Sequence, residues 1–154
     1  MVRFILDTNI YGRISEDKMD GARLIERLTR DSQFVVCNFR LIRNELRRAP
    51  RLLPLYDKLA SSNVVQEDGQ IKKLAKEYFV EYKARSGVQG QRKIMNDFKI
   101  VACATLKNCD VVASDDKRTM QNPRALEAYK TVNLRKHLRV PAFYSYSDIK
   151  KTYL

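Results

Sequence analysis

The sequence predicts a three-layer α/β/α domain around a mostly parallel sheet. Three features point that way: short buried strands alternate with helical stretches, those strands are apolar on both faces, and two of them end in acids. With 154 residues, 44% hydrophobic and 31% charged, the chain is expected to form one globular domain over 1–154, large enough to bury a core without disulfides. The cysteines Cys37, Cys103 and Cys109 form no CxxC pair and read as small core residues in a reducing compartment, so a cytoplasmic location is expected. The opening Met-Val-Arg-Phe-Ile-Leu is too short an apolar run for a signal peptide or membrane span.

Val2 to Leu6 is apolar except for Arg3, as a central parallel strand requires, and runs into Asp7-Thr8-Asn9. Ligands of open α/β sheets bind at that carboxyl end. Asp20 is expected to cap a helix facing inward with Leu24, Ile25 and Leu28. Phe34 to Cys37 reads as a second strand. Asn38 then caps a helix with Leu41, Ile42, Glu45, Leu46 and Ala49 on one side, stopped by Pro50. Arg51 to Leu59 is a further short helix restarted at Pro54, and Ser61 to Gly69 a polar connection. Ile71, Leu74, Ala75, Tyr78, Phe79 and Tyr82 recur at helical spacing behind an Asp68 cap, so these aromatics belong to the core. A basic loop, Ser86 to Lys93, leads into a helix over Lys93–Lys107. Val111 to Ala113 is a third buried strand before Asp115 and Asp116. A short helix from Asn122-Pro123 to Tyr129, a strand over Val140–Tyr144 and a helix over Ser147–Tyr153 complete the chain.

Two of these helices carry an acid on an apolar face. Ile94, Ile100, Val101 and Ala104 lie within ~60° of Asp97 on the helical wheel, and Leu41, Ile42 and Ala49 bracket Glu45 likewise. Only Lys93, at the edge, gives the Asp97 face a cation. Asp7 and Asp115 arrive at the same sheet edge from the strands. Two carboxylates ~5 Å apart repel by roughly 3 kcal/mol at an effective dielectric of about 20. A hard divalent cation, Mg²⁺ or Mn²⁺, removes that repulsion and prefers oxygen ligands. Zinc fits poorly, because the cysteines are ill-spaced and His137, amid Arg135, Lys136 and Arg139, is the single histidine. Thirty Lys and Arg against eighteen Asp and Glu leave a net charge of +12, which suits a polyanionic partner, nucleic acid first. Arg43, Arg47, Arg92, Lys93 and Lys117 are the candidate phosphate contacts.

Phe-Ile-Leu-Asp7-Thr-Asn9, Arg-Asn-Glu45-Leu, Asn-Asp97-Phe-Lys-Ile-Val-Ala-Cys-Ala and Val-Val-Ala-Ser-Asp115-Asp116 together resemble the PIN-domain nucleases in order and spacing, from Phe4 to about Met120. The resemblance implies a PIN-like fold and a metal-dependent endoribonuclease. Asp7, Glu45, Asp97 and Asp115 would then bind Mg²⁺ or Mn²⁺ and hydrolyse RNA, with Thr8 orienting the acids and Asn9 supporting them. The family's last motif often reads Thr-x-Asp; here Ala113 takes the Thr place, which leaves Asp115 or Asp116 as the ligand, with Asp115 expected. Asp7 and Asp97 are expected to ligate directly, Glu45 to bind through water or act as a base, and Asp115 to hold a second ion. Many small members resembling this chain are toxins similar to VapC, which dimerise and are silenced by an antitoxin. Alternatives are processing of ribosomal or messenger RNA and a non-catalytic RNA-binding module. A phosphohydrolase of the haloacid dehalogenase kind is disfavoured, because Asp7-Thr8-Asn9 lacks a second Asp two residues on.

Overall fold

The computed structural model describes residues 1–154 and contains five parallel strands. They are β1 (Val2–Leu6), β2 (Phe34–Phe39), β3 (Ala60–Val65), β4 (Val111–Ala113) and β5 (Ala142–Tyr144), in the order β3-β2-β1-β4-β5. The helices are α1 (Thr8–Glu16), α2 (Gly21–Arg30), α3 (Arg40–Leu46), α4 (Leu53–Leu59), α5 (Gly69–Ala84), α6 (Gln91–Leu106), α7 (Pro123–Arg135) and α8 (Tyr146–Tyr153), with one 3-10 turn at Pro50–Leu52. This is the three-layer α/β/α arrangement, with an all-parallel sheet rather than a mostly parallel one. No helix is long and apolar enough to cross a membrane.

The strand order reverses at β1. From it the chain proceeds outward to β2 and β3, then returns through α5 and α6 to β4 on the other side. A crevice opens at such a reversal, outside the carboxyl ends of the strands. Phe4 is in register with Val36 on one side and Val111 on the other, so β1 and β4 end side by side and Asp7 N donates to Ala113 O at 2.9 Å. One layer holds α5, α6 and α7 around the rings of Tyr78, Tyr82, Phe98 and Tyr129, whose edge-to-face pairs lie 5.0 to 6.4 Å apart. The other holds α1 to α4, where Tyr11 meets Tyr56 at 5.2 Å. Near the carboxyl edge α3 touches α6, which brings the two acid-bearing helices together.

Several expectations change. Thr8 to Glu16, a stretch to which the sequence assigned no element, is a helix that starts directly after β1, because Asp7 caps it by accepting from Thr8 N. Ser61 to Gly69 is not a plain connection: Ala60–Val65 is an edge strand. Its polar face is exposed and only β2 pairs with it, so neither alternation nor apolar content announces it. Asn38 does not cap α3. It stays in β2, where its amide donates to Ser61 O at 2.9 Å and its carbonyl accepts from Tyr56 OH at 2.8 Å, so Phe39 precedes the helix. Ala49 lies beyond α3, which ends at Leu46. Asp20 precedes α2 without a capping bond, since its carboxylate pairs with Arg23 and Lys150. The Asn122 helix runs on to Arg135 because Val132 and Asn133 continue its buried stripe. Asp68 caps α5 as expected, donated to by Ile71 N at 2.9 Å.

Tyr78, Thr105 and Asn133 form a buried polar knot joining α5, α6 and α7. Tyr78 OH lies 2.6 Å from Asn133 Oδ1 and 3.1 Å from Thr105 Oγ1, and Asn133 Nδ2 reaches Thr105 Oγ1 at 3.2 Å. Tyr78→Phe leaves the other two groups short of a partner, so urea denaturation is expected to show a loss of about 1–3 kcal/mol at unchanged m-value. A neutral substitution would mean that the knot contributes nothing.

Candidate active site

Asp7 is the best-held of the acids. Only 4% exposed, its Oδ1 accepts from Thr8 N at 2.8 Å, and its Oδ2 accepts from Ser114 Oγ at 2.7 Å and Asn9 Nδ2 at 3.2 Å. Asn9 also fastens the end of β1 to the end of β4: its Nδ2 reaches Ser114 Oγ at 3.2 Å and its Oδ1 accepts from Asp115 N at 3.1 Å. Thr8 and Asn9 therefore both steady Asp7. Burial raises the Asp7 carboxyl above its ordinary value despite these donors.

Asp97 sits on the inward face of α6, among Ile94, Ile100, Val101 and Ala104, all fully buried. Its protein partner is a hydroxyl and not a cation: Thr119 Oγ1 bonds Asp97 Oδ2 and also lies 2.6 Å from Asp116 Oδ2. One hydroxyl proton cannot serve two carboxylates, so both contacts are hydrogen bonds only when one carboxyl is protonated. Asp97 suits that part. Burial pushes it up to about 7, with the charges of Asp7, Asp116 and Glu45 adding to the effect against the Thr119 bond. Glu45 is also pushed up to about 7, by burial and then by Asp7, with Arg48 opposing. Its Oε1 is buried and has no hydrogen-bond partner. An orphaned buried carboxylate oxygen beside other acids is the feature a cation would relieve.

The two adjacent acids after β4 point different ways. Asp116 joins the cluster. Burial opposes its charge, but the Thr119 hydroxyl, the N–H groups of Thr119 and Arg118, and nearby Lys93 outweigh burial and hold it below its ordinary value. Asp115 is turned away, contrary to the expectation that it is the ligand. Its Oδ1 accepts from Tyr146 N at 2.8 Å, and its Oδ2 pairs with Arg13, whose guanidinium lies over the Tyr146 ring at 5.1 Å. Ser114 Oγ, which donates to Asp7, accepts from Asp116 N at 3.0 Å. Ser114-x-Asp116 is thus the hydroxyl-x-Asp arrangement, displaced by one residue from Ala113-x-Asp115. The hydroxyl at 114 was the available signal. Nothing in the pattern singled out Thr119.

The cations are distributed unevenly. Arg43 is engaged by Asp57 through two bonds of 2.9 and 3.0 Å. Arg47, Arg92, Lys93 and Lys117 are exposed and make no ion pair. His137 is exposed, as expected.

Asp97 and Glu45 retain protons in the folded chain up to about pH 7, whereas the unfolded chain releases them near 4. The folded state binds more protons across that interval, so their contribution to stability falls as pH rises through it. In EDTA, melting temperature should drop between pH 5 and 8, and Asp97→Asn should flatten the drop and be at least as stable as wild type at pH 8. Parallel profiles for the two proteins would refute the elevated Asp97 pKa.

No family model matches the chain, and none of the curated proteins compared with it does. Solved structures do. A chain of VapBC2 from Rickettsia felis, bound to a DNA fragment from its promoter, has a TM-score of 0.60 at 12% identity, covering 94% of this chain and 98% of that one. VapBC-1 from nontypeable Haemophilus influenzae gives 0.60 at 16% identity, covering 95% and 99%, and DNA-bound VapBC from Salmonella typhimurium 0.57 at 16%, also covering 95% and 99%. At such identities the likeness is one of fold: this chain has the PIN-like α/β/α fold to which its acidic motifs point.

Proposed function

We propose that this protein is a metal-dependent ribonuclease hydrolysing RNA phosphodiester bonds, and that it is the toxin of a toxin–antitoxin pair. The observation that carries the reading is the cluster of Asp7, Glu45, Asp97 and Asp116, in which Glu45 keeps a buried oxygen without a partner. An all-carboxylate donor set suits Mg²⁺ or Mn²⁺. No three of these side chains form a closed ligand group as they stand, so binding requires side-chain rotation, beginning with release of Asp97 and Asp116 from Thr119.

A bound divalent ion supplies a water of lowered pKa and stabilises charge on the phosphoryl group and leaving oxygen. We assign Asp7 and Asp97 as direct ligands and Asp116, in place of Asp115, as the further one. Glu45, half-buried beside Asp7, would bind the ion through water or accept a proton from the attacking water. Arg92 and Lys93, in the first turn of α6 ahead of Asp97, and Lys117, next to Asp116, would neutralise RNA phosphates. Arg47 is a further candidate, and Arg43 contributes less while Asp57 neutralises it. The toxin assignment is supported by the shared fold with the VapBC structures over almost the whole of both chains. An antitoxin covering the acidic crevice and a second copy of this chain as homodimer partner belong to the same proposal.

Purified protein should cleave a mixed RNA pool with Mn²⁺ or Mg²⁺ and stop with EDTA. Asp97→Asn and Asp116→Asn should each lower cleavage by at least ~100-fold. Asp115→Asn, which keeps an acceptor for Tyr146 N, should lose less than ~10-fold. Equal loss in the Asp115 and Asp116 variants would refute the assignment of Asp116, and cleavage by wild type in EDTA would refute the metal reading.

RNA affinity should fall steeply with salt, and Arg92→Ala with Lys93→Ala should reduce the slope of log K against log[salt] by about one to two. An unchanged slope would mean that the start of α6 lies outside the RNA footprint.

A further inference from the structure

All three cysteines of this chain meet, although they come from separate segments: Cys37 from β2, Cys103 from α6 and Cys109 from the turn after α6. Cys37 and Cys109 line one cleft, and α6, which carries Cys103, packs on β2, which carries Cys37, so the three thiols are neighbours. None is bridged. Cys103 is fully buried and Cys109 almost so, but Cys37 is half-buried and, with Cys109, lines an open cleft of ≈ 660 Å³ walled by Arg3, Lys107, Asn63 and Val64. Solvent therefore reaches the thiols from one side. Arg3 and Lys107 line the same cleft and carry positive charge close to Cys37. The neighbouring thiols and these cations hold the Cys37 thiol below its ordinary pKa against burial, while burial and the proximity of Cys37 raise its two partners.

A buried structural cysteine has none of these attributes together; reactive ones have a cationic setting, access and a resolving thiol. We propose that Cys37 is a peroxide-reactive thiol that closes an intramolecular disulfide with one of its two neighbouring cysteines. The Cys37 thiolate attacks a peroxide oxygen and breaks the O–O bond, giving a sulfenic acid and releasing water once a proton is taken up. The second thiol then attacks the sulfenic sulfur, loses its proton and expels a second water. Two thiols are oxidised by two electrons as one hydrogen peroxide is reduced to two waters. The acidic crevice takes no part in this chemistry, so the inference does not depend on the nuclease reading.

The test treats the reduced, folded full-length chain with hydrogen peroxide, blocks remaining thiols with iodoacetamide and maps peptides without reduction. Expected is a monomeric product with a disulfide containing Cys37. Cys37→Ser should form none, while Cys103→Ser and Cys109→Ser should each still bridge Cys37 to the remaining partner. Full alkylation of all three cysteines after peroxide would overturn the proposal. So would a Cys103–Cys109 bridge, intermolecular dimers only, or Cys37 accumulating as sulfinic acid without a bridge. The mapping on wild type decides even if Cys37→Ser folds poorly, and Cys37→Ala provides a second control.

Discussion

The bond between Ser114 Oγ and Asp7 Oδ2 ties the ends of two adjacent strands at the point where the sheet reverses direction. The rest of the acidic crevice depends on it. Thr8, Asn9 and Ser114 surround the buried Asp7 with donors, which offset part of the cost of burying its carboxyl. The same Ser114 oxygen receives the N–H of Asp116 and so fixes the turn that sends Asp116 inward and Asp115 outward. Packing of α3 and α6 on the sheet then adds Glu45 and Asp97 at the same edge. Each acid enters from a different element, so the cluster is a product of the tertiary fold and not of any local motif.

The energetic cost of this arrangement is visible in the molecule itself. Burial and mutual repulsion bring Asp97 and Glu45 to about 7, where each is a weak acid rather than a committed anion. A protein selected for stability alone would place Leu or Ala at those two sites, given the apolar residues around them. The aromatic cluster under α6 and the Tyr78 knot hold the helix that bears Asp97 in position despite that penalty.

Much of this was legible in the sequence, for physical reasons that differ by element. The strands β1 and β4 are buried on both faces and read as continuous apolar runs, and α5 and α6 show a clear 3.6-residue stripe. Asp97 and Glu45 were conspicuous because they interrupt such stripes. β3 was not legible, since Ser61, Ser62 and Asn63 have no core to face and fall where the register with β2 shifts, with Ser61 O held by the Asn38 side chain. The direction of Asp115 was not legible either. It depends on Arg13 and Tyr146, more than thirty residues from it or on another layer, and no local spacing encodes that pairing. The meeting of three cysteines was hidden for the same reason: only the crossing of α6 over β2 brings them together.

Asp115 also gives the last helix a role beyond packing. Tyr146 N grips its carboxylate from the first turn of α8, while Tyr146 OH and Lys150 both reach Asp17 at 2.8 Å, at the end of α1. The segment from Ser145 onward is thereby moored at Asp115, beside the acidic crevice, and at the carboxyl end of α1, the helix that Asp7 begins. Any molecule that levers α8 from this mooring also loosens the peptide that aims Asp116. The carboxyl-terminal helix is in that sense a handle on the acidic crevice, reachable from the outer surface without entering the crevice.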